Sequence, residues 1–250
     1  MKRLFPCLTL AALMLSPACF ADDPLPSAET ILDHYVEVTG GKAAYEKRTS
    51  EMVTGVMEFP AQGLKGTLTR YAAAPDHEYS SIDLAGVGKI EEGVEKGVAW
   101  EKSAIMGSRI KSGIEKMQAV REATLNEPII WRKLYTKVET TGIESLDGED
   151  CYKVVVTPEG EKPETRYYSK KSGLLLKTQE TIVSQMGEIE AEGWVSEYKE
   201  FGGVLEPTKL RQKAAGQEFV VSIQSVKVNP EIPPDQFKLP AEVQALVDKK

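Results

Sequence analysis

The chain has 250 residues, with 38 acidic against 31 basic side chains and a net charge of −7. That balance makes the chain a poor candidate for binding nucleic acid or anionic membrane surfaces, because phosphate binding needs clustered Lys and Arg. Only three cysteines are present, and two of them, Cys7 and Cys19, lie in the N-terminal apolar segment. The fold is therefore held by its core and not by disulfides.

Lys2 and Arg3 precede an apolar run from Leu4 to Leu15, and Ser16 to Ala21 supplies small residues ahead of Asp22 and Asp23. This is the order of a secretory signal peptide. The run is shorter than the roughly 20 apolar residues that cross a bilayer. Cleavage after Ala21 is expected, with Cys19 and Ala21 as the small residues of the cleavage site. The alternative is lipid attachment at Cys19, which Ser16 argues against, since that processing favours Leu three positions before the cysteine. Residues 1–21 are thus a signal peptide and 22–250 a single all-β domain, exported and expected to be a monomer. Its balance is 29 basic to 38 acidic side chains.

Ser27 is placed to cap a helix in which Ile31, Leu32, Tyr35 and Val36 form one apolar face. Gly40 and Gly41 end it, and a short turn over Lys42–Arg48 leads into strands. Glu51–Phe59, Leu64–Ala72 and Asp76–Leu84 read as strands divided by Pro60, Gly63 and Pro75. Gly86, Gly88, Gly93 and Gly97 mark turns before a strand around Trp100. Ser108–Tyr135 interrupts the β pattern. Ile110, Ile114, Met117 and Val120 fall at helical spacing, and Pro128 to Tyr135 forms a second helical segment. Strands resume at Val138–Ile143, Cys151–Thr157, Arg166–Tyr168, Leu174–Val183, Ile189–Phe201, Val204–Lys213 and Glu218–Val228. Ala241–Lys250 is a short final helix or a frayed end. About ten strands without βαβ alternation predict a mainly β fold, one large curved antiparallel sheet with an N-terminal helix and an internal helical lid.

Catalytic sets are not found. His34 and His77, the two histidines, stand far apart, and neither has a ligand-spaced partner. Glu91–Glu92 and Glu188/Glu190/Glu192 fit solvated strand faces. Cys151 reads as a small buried hydrophobe, with a reactive thiol as the alternative, although no histidine or second cysteine is near in sequence to activate it. No metal or cofactor is implied. What remains is apolar: Trp100, Met106, Ile110, Ile114, Met117, Ile130, Trp131 and Tyr135 around the insertion, with Trp194 and Phe219 on strands. Two readings stand side by side. These residues pack an ordinary core, or they line a gap under a bent sheet that suits an acyl chain.

Three stretches resemble the LolA/LolB superfamily and its outer-membrane lipoprotein-sorting-like relatives. They are Val36 to Tyr45 running into a strand with Gly55, then Tyr167 to Leu175, then Pro234 to Pro240. Ser169 stands where the family's hairpin usually has an acid. The resemblance covers nearly the whole exported chain and implies a half-open β-barrel whose helices cover a hydrophobic cavity. It implies a non-enzymatic periplasmic carrier of a lipid or of a lipoprotein's acyl group. A module of the same fold that contacts an envelope protein, without lipid cargo, is the alternative.

Overall fold

The computed structural model describes residues 24–249. The signal segment 1–21, and with it cleavage after Ala21 or lipidation at Cys19, lies outside the described residues.

Ser27 caps α1 (Ala28–Val38), its hydroxyl accepting from the Thr30 N–H at 3.2 Å. This satisfies one of the donors that a first turn leaves free. Ala28, Ile31 and Leu32 are buried. At Gly40, φ is +130°, and a Cβ there would collide with the Gly203 carbonyl. Only glycine lets the chain pass this close to a strand turn. α2 (Lys42–Glu46) follows.

Six strands come next: β1 (Ser50–Phe59), β2 (Leu64–Ala73), β3 (His77–Leu84), β4 (Gly88–Glu95), β5 (Val98–Ser103) and β6 (Gly107–Ile110). The helices α3 (Gly113–Glu122) and α4 (Glu127–Leu134) interrupt them. The second series is β7 (Tyr135–Leu146), β8 (Glu149–Pro158), β9 (Glu164–Ser169), β10 (Leu175–Ser184), β11 (Gly187–Phe201), β12 (Val204–Ala214) and β13 (Gln217–Val228), and α5 (Ala241–Val247) ends the chain. All thirteen strands form one curved antiparallel sheet that does not close, in the order β6-β5-β4-β3-β2-β1-β13-β12-β11-β10-β9-β8-β7. It is two meanders, each made of sequence neighbours, joined where β1 pairs with β13.

The register assigns each side chain to a face, because successive residues of a strand alternate. Val53 pairs with Arg70 and Val226, Leu210 with Val221 and Val195, and Arg166 with Val154 and Thr178, all on one face. The helices cover that face. α1 and α4 pack Ile31, Leu32 and Trp131 on Val154, Val156 and Tyr168. α3 lays Ala119, Val120 and Ala123 on Val94 and Ala99. This is the inner side of the curve. Each fully buried apolar side chain contributes about 1.5–3 kcal/mol, so the two helical contacts fasten the helices to the sheet. The C-terminal tail runs over the opposite, outer face: Phe237 stacks on His77 at 5.7 Å and Glu242 meets Lys102 at 3.2 Å.

The architecture is the expected one, with more strands. The sequence reading missed β4, whose glycines look like turns. Gly93 is instead a spacer: a Cβ there would lie 2.9 Å from the Trp100 ring. It also missed β6. Ile110 was expected on the inserted helix, but it ends β6, opposite Trp100. The helix starts three residues later and packs through Ala119, Val120 and Ala123. Ile114 and Met117 stay 40% and 39% exposed, Met117 with its end toward Gly160 in the β8–β9 loop. The final segment is helical over Ala241–Val247.

Candidate functional site: the interior of the half-open barrel

The ten residues singled out in the sequence do not share one site, although Trp131 and Tyr135 meet in one core cluster and Trp100 pairs with Ile110. Trp100, 1% exposed, lies on the outer face, near Tyr79 and in the part of the sheet that the tail and α5 cover. Ile110 is beside it, and Met106 is 61% exposed in the β5–β6 turn. Trp194 is also on the outer face, in a cross-strand row Lys153–Tyr167–Lys177–Trp194–Arg211. The cations sit over the rings at 3.8–5.6 Å. Trp131 belongs to the α1–α4 core, with Ile130 next to it in α4. Tyr135 faces the interior, and Phe219, against Phe59 at 5.7 Å, is on the inner face toward one end of its strand.

The interior itself has two characters. Where the two meanders join, Val53, Leu68, Val195, Leu210, Val221 and Ile223 line an apolar recess of ≈ 470 Å³. That is the size range of small-molecule sites. Beside it runs a belt of charge. Arg48, between α2 and β1, pairs with Glu51 and Glu206, and Arg70 pairs with Glu51 and with Glu78 at 2.6 Å. Further round, Arg166 donates to Glu127 at 3.0 Å and Glu164 at 2.8 Å, while Arg121 of α3 reaches Glu161 at 3.0 Å. Tyr135 donates its hydroxyl proton to Glu127 at 2.7 Å.

Burial works to raise the Glu127 carboxyl, but the Arg166 charge, the hydrogen bonds from Tyr135 and Arg166 and the Arg121 charge together outweigh it, and the group titrates below its ordinary range. Glu206 is the opposite case. Burial and the neighbouring Glu51 charge push it up despite Arg48. Burial, then the Glu180 charge, push Glu122 up to about 7. Buried pairs of this kind add little net stability; their effect is to fix the shape and charge of the space they line.

These charged residues escaped the sequence reading, yet a signal existed. Glu51 stands in phase with Val53 and Gly55, and Arg166 in phase with Tyr168, so each is an ion at an inward strand position. Such positions mark function more often than the aromatics beside them.

Potential reactive groups lie elsewhere. The Cys151 thiol is buried in β8 and pushed up to about 11 by burial and then by Glu149. His34 is exposed on α1, and His77 is on the outer face, 2.7 Å from Glu95. Among the described residues no group of three His, Cys, Asp or Glu side chains is arranged to hold a metal, and no helix is long and apolar enough to cross a membrane.

A half-open antiparallel barrel with helices laid over its inner face is the LolA-like fold, and this chain has it. A DUF1329 family protein from Desulfovibrio piger superposes with a TM-score of 0.58 at 18% identity, covering 86% of this chain and 98% of that one. A LolA superfamily protein from Nitrosomonas europaea gives 0.58 at 13% identity, over 86% and 99% of the two chains. A domain of the outer-membrane lipoprotein-sorting type from Vibrio parahaemolyticus gives 0.52 at 13%, over 84% and 97%. No protein-family model and no curated protein sequence matches the chain.

Proposed function

We propose that the protein is a periplasmic carrier, without catalytic activity, that shelters the apolar part of a lipid or acylated cargo inside its half-barrel. The observation that supports this best is the apolar recess of ≈ 470 Å³ on the inner face of an unclosed sheet. Each methylene buried there contributes about 0.8 kcal/mol, so one alkyl chain provides useful affinity. The signal-peptide pattern at residues 1–21 and the LolA-like fold fit an exported single domain, 22–250, that moves amphiphiles through water.

Leu210→Trp would fill the recess from a central strand. The purified protein is expected to bind the neutral probe N-phenylnaphthylamine saturably. The variant is expected to bind it about tenfold or more weakly, a loss of roughly 1.4 kcal/mol, with its melting temperature nearly kept. Absence of saturable binding by the unaltered protein would sink this reading.

A further inference from the structure

The carrier reading leaves the polar end of the cargo undefined, and the interior charges discriminate between the choices. The arginines lining the interior are already engaged. Arg48 and Arg70 are held by Glu51, Glu78 and Glu206. Arg121 and Arg166 are held by Glu127, Glu161 and Glu164. Each of these four arginines therefore already has at least two carboxylate partners among the described residues.

The unengaged groups are of the other sign. A cavity of ≈ 420 Å³ between α3 and β10 is lined by two arginines and four glutamates. Two of those glutamates, Glu122 and Glu180, make no hydrogen bond or ion pair among the described residues. Gln212 lines the same cavity, and its amide is likewise unengaged. Glu122 is closely surrounded by protein and lines this space, where it stays accessible. The cavity also adjoins the apolar recess. Gln212 and Leu210 are successive inner-face residues of β12, about 7 Å apart at the usual strand rise.

We propose that the cavity seats the ammonium group of an amine-bearing amphiphile between Glu122 and Glu180, with the Gln212 amide oxygen as a third acceptor and the hydrocarbon in the recess beyond Leu210. An ammonium has three donors and no acceptor, which matches two carboxylates and an amide oxygen. A fatty carboxylate would instead add a negative charge where Glu122 and Glu180 already repel. The remaining charges facing Glu122 are Glu78, Arg121 and Lys111, and those facing Glu180 are Glu161, Glu164, Arg121 and Arg166. Burial and then the Glu180 charge raise Glu122, and burial and then the Glu164 charge raise Glu180, so a bound cation relieves a tension present in the empty protein.

This inference rests on the carrier reading, and the test separates the two. Dodecylamine, dodecanol and dodecanoate are titrated calorimetrically, below their aggregation limits, into the mature protein at pH 8. Dodecylamine is expected to bind about tenfold or more tightly than dodecanol, with dodecanoate weakest. The advantage of the amine shrinks toward pH 5.5, as Glu122 gains its proton while the amine stays charged. In Glu122→Gln/Glu180→Gln, and to a lesser degree in Glu180→Gln alone, the amine-to-alcohol ratio falls toward one, with circular dichroism confirming the fold. Equal binding of the three probes, or tighter binding of the carboxylate, overturns the headgroup assignment and leaves the carrier reading standing. Saturable binding of none of them overturns both.

Discussion

Glu122 and Glu127 are five residues apart, and both carry a carboxylate into the interior, yet their surroundings treat them in opposite ways. Glu127 has the Arg166 guanidinium at 3.0 Å and is held ionised. Glu122 has the Glu180 charge nearby and no bonded cation, so burial dominates and its proton is held up to about 7. The effect on stability follows by linkage. A carboxyl whose folded value is raised binds its proton more tightly in the native state, so stability falls as pH climbs from the ordinary carboxylate range to about 7. Glu122→Gln removes that loss. Its melting temperature should exceed that of the unaltered protein at pH 8 and match it near pH 4.5; a variant equally stable or weaker at pH 8 would contradict this account. Little of it was legible in the sequence. Neither the pairing of Glu127 with Arg166 nor the isolation of Glu122 can be read from residue type, because both depend on which face of a short helix meets which strand.

At the scale of elements, α3 shows why the expected amphipathic stripe failed. The stripe Ile110, Ile114, Met117 and Val120 has the right period, but its first member belongs to β6 and its middle two stay exposed to more than a third. A polar residue fixes the orientation instead. β9 pairs with β10 only as far as Thr165 and Gln179, so beyond that point β10 has β11 on one side and no strand on the other. Gln118 takes the strand's place, donating to the Thr181 carbonyl at 2.7 Å and accepting from the Val183 N–H at 2.8 Å. Leaving such groups unpaired costs about 1–3 kcal/mol each. Gln118→Ala should therefore lower the unfolding free energy by about 2 kcal/mol and speed hydrogen exchange at the Val183 amide. Unchanged exchange there would mean that α3 is held by its apolar side alone. Hydrophobic periodicity locates helices, but the partner a helix needs at a broken sheet edge is polar, and polar residues are silent in a pattern search. The turns were easier to read. Gly-containing pairs such as Asp147-Gly148 and Gly202-Gly203 lie between strands as expected, because a positive φ at a turn favours few residue types.

On the scale of the whole molecule, alternation and turn spacing were enough to give a curved antiparallel sheet with helices over one face. They were not enough to give its mixed interior, where a hydrophobic cavity was expected and an apolar recess beside a belt of ion pairs is found. Nor do they reveal that the first and last strands are neighbours. Every other strand pairing in the sheet links elements adjacent in the chain, whereas β1 and β13 pair Glu51 with Val228. This one seam has a kinetic meaning. Local hairpins close quickly, while a contact across most of the chain must first meet the entropy of closing that loop. Each meander can assemble by itself, and the two then dock along β1 and β13, which is also where the apolar recess forms. Val53, buried at the seam, is thus absent from the early steps. Val53→Ala should lose about 2 kcal/mol, appearing in stopped-flow measurements chiefly as faster unfolding with refolding nearly unaltered. Slowed refolding with normal unfolding would place the seam in the nucleus. By the expected order, the recess comes into being at the last step of folding and is the first part lost when the molecule comes apart.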